Sequence, residues 1–273
     1  MEEYLVNSLG KRFGSLFVLL FLCLLSLRAG ANKTPYYHFK QLSINEGLPS
    51  SVTALYDDGR GSLWIGTKQG VYRFNGEKIK KYMADGCDMV DVANNLHHVL
   101  HIQGDKSGRI WFTTIGGVLC YEPEQRDLKP LFRDGKPVAA NHVVPHGDQV
   151  IVPVADSLLI YDLNKAPLYA IPFSLRGVRP KLLLPYDEEH FLMNDSSGRL
   201  MLLNKRNGNI IAAPMQGDVS AVNYLYRDKK EHYWIACYGR GVKCYAHDGT
   251  LLAEYNRSNG RLNNDIVLDI KEW

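Results

Sequence analysis

This 273-residue chain is short of several things that usually betray a function. It has no strong charge of one sign: 32 Lys and Arg stand against 29 Asp and Glu, a formal +3. That balance sets up no field to draw nucleic acid or anionic lipid. Its one long apolar run, Phe13 to Leu27, spans 15 residues, short of the roughly 20 that cross a bilayer as a helix. There is no nucleotide-binding glycine loop, no Gly-x-Ser-x-Gly elbow, no His-Glu-x-x-His and no kinase or receiver motif. No catalytic residue, cofactor or metal site is therefore predicted.

Cysteine is scarce too, with five in all. Cys23 lies in the apolar run, without the Leu-Ala-Gly lead of a lipoprotein. Cys237 and Cys244 flank one hairpin and are the one plausible disulfide, although buried free thiols are the stronger expectation. Lys11 and Arg12, the apolar run and Ala29-Gly30-Ala31 together read as a secretory leader over residues 1–31. Without it the net charge is +2, and the expected location is outside the cytoplasm.

What the chain does contain is a phrase that returns. Asp57 to Gly61, then Leu63-Trp64-Ile65-Gly66-Thr67, is followed by Gly70-Val71-Tyr72-Arg73-Phe74. Asp105 to Arg109 and Trp111 are followed by Gly117-Val118-Leu119-Cys120-Tyr121, and Trp234 by Gly241-Val242-Lys243-Cys244-Tyr245. The third strand of each unit ends at Phe74, Tyr121, Tyr161, Leu203 and Tyr245, with spacings of 47, 40, 42 and 42. Each unit reads as four short strands, punctuated by Asp, Asn and Gly turns such as Asn75-Gly76. Four strands repeating at this period indicate an all-β propeller of four-stranded antiparallel blades. Trp64, Trp111 and Trp234 are the expected filling between blades, and Gly70, Gly117 and Gly241 mark the third strand.

The blades are expected near 44–83, 92–133, 141–174, 181–213 and 219–256, with a sixth begun at 259–273. Residues 32–273 then amount to an incomplete seven-bladed ring, since seven blades need about 300 residues. Its open edges should favour aggregation.

Glu46-Gly47-Leu48-Pro49 and the Trp64 phrase closely resemble the two-component regulator propeller repeat. This resemblance implies the sensor region of a hybrid two-component regulator, periplasmic and tied to the membrane through parts outside this chain. It also implies a glycan-derived oligosaccharide as ligand, a kinase on another part of the protein, and room for a homodimer in the full-length relative. A secreted propeller lyase or hydrolase and a protein-binding scaffold remain alternatives.

In a propeller, the connections from second to third strand and from fourth to next first strand gather on one face. The rim candidates there are Lys68, Gln69, Asn95, His97, Asn141, His142, Tyr238 and Arg240. Their amide, imidazole and guanidinium groups, with a tyrosine ring, suit sugar hydroxyls and ring faces. Asn141 and His142 read as solvated loop residues. His97, His98 and His101 read as part of one strand, on which His98 faces away from the other two. The repeated acidic turns serve hairpins and are not expected to hold calcium.

Overall fold

The computed structural model describes residues 42, 44–48, 51–82, 96–178, 180–270 and 272. The predicted leader, Cys87 and Asn95 lie outside them. The chain divides into two units, 1–41 and 42–273. All the described strands belong to the second.

Five antiparallel four-stranded sheets follow one another. Blade one is β1 (Val52–Asp57), β2 (Leu63–Thr67), β3 (Gly70–Phe74) and β4 (Ile79–Tyr82). Blade two is β5 (Val99–Gly104), β6 (Ile110–Thr114), β7 (Val118–Glu122) and β8 (Asp127–Pro130). A two-stranded hairpin follows, β9 (Phe132–Arg133) and β10 (Lys136–Pro137). Blade three is β11 (Val144–His146), β12 (Gln149–Pro153), β13 (Ser157–Asp162) and β14 (Pro167–Pro172). Blade four is β15 (Pro180–Pro185), β16 (His190–Asp195), β17 (Leu200–Asn204) and β18 (Ile210–Ala212). Blade five is β19 (Val222–Arg227), β20 (Tyr233–Cys237), β21 (Gly241–Tyr245) and β22 (Leu251–Tyr255). The expected β-propeller is thus the observed fold.

Each sheet is apolar on both faces in its middle strands, as a blade between two others must be. Residues of β6, β7, β12 and β13 are almost all buried. Trp64 lies against blade two, 4.5 Å from the ring of Tyr121 and 5.6 Å from Phe112. Trp111 is fully buried in a cluster with Val143, Val152 and Leu159 of the following blade. The strand register puts Ile151 and Leu192 where blade two has Trp111, each pairing one residue before the buried end of the third strand. Gly241 holds φ at +79°, and a Cβ there would collide with the carbonyl of Tyr255. Gly117 lacks a positive φ and is instead hemmed in by Pro137, Leu96 and Val138.

A chain of side-chain bonds links the blades in one direction. Thr53 donates to the carbonyl of Val99 (2.7 Å) and Thr113 to that of Asn141 (3.3 Å). Asn141 donates to Pro180 (3.5 Å), Asn194 to Val222 (2.8 Å) and Asn223 to Val267 (2.6 Å). Every blade thus satisfies a carbonyl at the inner edge of its successor, where a bare acceptor would be costly. The last bond reaches segment 265–270, which follows the path of a sixth inner strand but forms no ladder among the described residues.

Candidate functional site

Polar side chains gather in two places, the rim of turns and the axis of the ring.

The rim candidates are spread over separate turns. Lys68 and Gln69 are exposed in the β2–β3 turn, where the Gln69 N–H donates to Thr67 Oγ1 at 2.9 Å. His97 and His98 precede β5 and do not lie on it; among the three histidines, only His101 is a strand residue. Burial, and then the charge of Lys68, hold His98 below the usual histidine range. Tyr238 is exposed in the β20–β21 turn, its N–H donating to Ala221. Arg240, in the same turn, is ion-paired with Asp218.

His142 corrects the reading of a solvated loop. It is 6% exposed, its ring centroid 4.3 Å from that of His101. Burial first, and then the neighbouring His101, hold its imidazole well below the usual range. Asn141 meets the expectation only in part, since its bonds with Thr113 and Pro180 lodge it between blades.

Asn141 also lines the feature that sequence reasoning missed. A cavity of about 600 Å³ lies on the axis, where the inner strands of blades one, two, four and five converge. In each of these four strands the pairing register slips at the second residue. A bulge of this kind leaves one residue out of the ladder and re-aims its side chain. The four residues are Thr53, Leu100, Lys181 and Asn223, and all four line the cavity. A smaller cavity of about 230 Å³, lined in part by His142, adjoins it and shares His101, Ile102, Leu182 and Tyr224. Asp269 hydrogen-bonds Tyr224, whose hydroxyl is raised by burial and by that carboxylate.

The acidic turns have their own employment. Asp58, Asp105 and Asp228 each accept the indole N–H of the tryptophan six residues on, at 3.2, 2.9 and 2.8 Å. Their other oxygens accept backbone N–H groups of the turn. Asp228 sits below the usual carboxylate range: burial would raise it, and the bonds from Trp234, His232 and Lys230 outweigh that. The Asp-x5-Trp spacing was present in the sequence and is the signal that could have revealed this tie. Among the described residues, no group of three or more His, Cys, Asp or Glu side chains could hold a metal. Cys237 and Cys244 are free and buried, as expected; they pair with Gly241 and Trp234, so their side chains point to opposite faces. Burial pushes the Cys120 thiol up to about 12 and Cys244 to about 11, so neither is a ready nucleophile.

With this geometry the molecule is a β-propeller whose inner strands converge on an axial cavity. Residues 46–69, the entry and first hairpin of blade one, match the model of the Two component regulator propeller family. Among solved structures, the chain is similar to the extracellular domain of a B. thetaiotaomicron protein described as a hybrid two component system. The identity is 17% and the TM-score 0.62, over 78% of this chain and 31% of that one. A second B. thetaiotaomicron extracellular domain, described as from a one component system, gives 16% and 0.63 over 81% and 33%. A virginiamycin B lyase from Staphylococcus aureus gives 10% and 0.58 over 74% and 69%. At these identities the likeness carries the fold. The chain spans about a third of the length of the two bacterial extracellular domains. No curated protein sequence matches it.

Proposed function

We propose that this chain is the ligand-sensing propeller of an exported, membrane-linked two-component regulator, and that its ligand is an oligosaccharide released from a glycan. The observation that carries this reading is the family match over residues 46–69, on a fold shared with extracellular domains of such systems. The chain itself binds and does not catalyse; phosphoryl transfer belongs to a kinase elsewhere in the protein. Signalling then requires that the ligand prefer one arrangement of the propeller over another. The face bearing Lys68, His97, Tyr238 and Arg240 is where the ligand enters, and the leader over residues 1–31 directs export.

The lyase with the same fold gives the enzyme reading one observation of its own. Titration of the full chain against a panel of glycan fragments, with chromatography of the sugars afterwards, separates the two. Saturable binding with every fragment recovered intact is the expected result. Appearance of cleaved or unsaturated products would overturn the sensor reading.

A further inference from the structure

The axial cavity carries two opposite charges that the fold does not pair with each other. Lys181 leaves the ladder of β15 at the register slip and lines the cavity. Its ammonium has no ion-pair or hydrogen-bond partner among the described residues. Ser196, just past the end of the neighbouring strand β16, lines the same cavity. Its hydroxyl is also unengaged among the described residues. The opposite charge is Asp269, which accepts the Tyr224 hydroxyl and the N–H of Ile270, the latter at 2.8 Å. A carboxylate has about four acceptor positions, so these two bonds do not fill it.

The placement of these groups says what kind of guest fits. Lys181 belongs to blade four and Asp269 lies past blade five, so the inner strand β19 stands between the two charges. Much of the remaining wall is apolar. Leu55, Leu100 and Leu268 are 47%, 38% and 72% exposed, and all three line the cavity. Large apolar side chains gathered in the open mark a binding surface. The volume of about 600 Å³ is in the range of small-molecule sites. A guest that meets all of this has an anionic end, a cationic end and apolar side chains. A neutral sugar brings none of the three, and a single amino acid carries both charges on one carbon. A short apolar peptide with free termini brings all of them, its ends about 3.3–3.6 Å further apart for each residue added.

We infer that the axial cavity binds a short apolar peptide of about two or three residues with both termini free. Its carboxylate accepts from Lys181 and Ser196, its ammonium donates to Asp269, and its side chains lie on Leu55, Leu100 and Leu268. Both contacts are charge-assisted hydrogen bonds, the stronger kind. The peptide is a second ligand, of another chemical class than the sugar proposed for the rim of turns, and its site does not depend on a sugar binding there.

The test is calorimetric titration of the full chain with dileucine and trileucine, their N-acetylated and C-amidated forms, and triglycine. We expect saturable binding of dileucine or trileucine, at least tenfold weaker after either cap is added and at least tenfold weaker for triglycine. Lys181→Met should erase the advantage of the free carboxylate while keeping that of the free ammonium, and Asp269→Asn should do the reverse. Both residues are exposed, so both variants should fold, and unchanged melting curves will verify this. Tyr169→Ala on β14 should leave every affinity unchanged. Equal affinity for free and capped peptides, or for trileucine and triglycine, overturns the two-ended apolar site. Binding that survives Lys181→Met and Asp269→Asn but is lost in Tyr238→Ala puts the peptide on the rim and overturns it as well. Failure of both leucine peptides to bind overturns it outright. Sugar affinity is read in a separate titration, so its presence or absence bears on the oligosaccharide reading alone.

Discussion

Blades two and three solve the same packing problem with different parts. Blade two closes its first hairpin through Asp105, which accepts N–H groups of Ser107 and Arg109 and the indole of Trp111. Blade three joins β11 to β12 through a two-residue turn, Gly147-Asp148, and has Ile151 in the tryptophan's place. Asp148 is exposed, its carboxylate reaching only Lys106 across the surface. Yet Trp111 is fully buried and Ile151 3% exposed. The recurring Asp and Trp therefore build the turn and tie it down, while the sheet itself comes from strands apolar on both faces. Blade four is intermediate: Asp187 caps a shortened turn by accepting from Glu189 and His190, with Leu192 in the tryptophan's place.

The sharpest way to break this comparison is to empty the tryptophan site. Trp111→Ala should cost about 3–5 kcal/mol, the usual range for a fully buried aromatic. Trp234 is only half-buried, since no further described blade covers its face; Trp234→Ala should cost about 1–2 kcal/mol, in line with the smaller apolar area removed. Equal losses in urea melts of the two variants would show that position in the ring does not set the value of this residue.

Removing the turn lock should have a smaller effect. Asp105→Ala strands three donors and should cost about 1–3 kcal/mol. Asp148→Ala, at the corresponding turn of blade three, should fall within about 0.5 kcal/mol of the parent, as exposed positions usually do. If both variants melted alike, the lock would be ornamental.

The smallest effect is a slope. The folded chain keeps His142 neutral, whereas the unfolded chain protonates it near pH 6.5. Unfolding below that pH takes up a proton, so the contribution of His142 is complete above about 6.5 and declines as the pH falls. The slope is about 1.4 kcal/mol per pH unit at most. His146 is depressed by burial and by Lys205, and adds a slope of the same sign. The difference between the parent and His142→Gln, in melts from about pH 7.5 to 5, isolates His142. A parent that gains stability on acidification relative to the variant would contradict a buried, neutral imidazole.

Much of this architecture was legible because it is written in residues that repeat. Trp64, Gly70 and Asn75-Gly76 announce strand and turn without knowledge of the neighbours, and Val150 to Pro153 can be read as a strand from composition alone. The site was less legible for a physical reason. Whether residue 53, 100, 181 or 223 faces the axis depends on a register slip, and nothing in Thr, Leu, Lys or Asn announces one. A loop position such as His142 is expected to be solvated, because loops usually are. Its burial comes from His101 and Leu183, partners about 40 residues away on either side, and no local pattern carries that information. The His97-His98-His101 grouping failed because β5 begins only at Val99.

The slipped residue in four of the five inner strands has a consequence for how such a protein changes over time. A substitution at position 53, 100, 181 or 223 alters the lumen while leaving the backbone pairing around it intact. The ring thus offers four nearly independent letters, one in each of blades one, two, four and five, that can be respelled without rewriting the scaffold. A new guest could be accommodated by one or two such edits, much as a combination lock is reset without recasting its barrel.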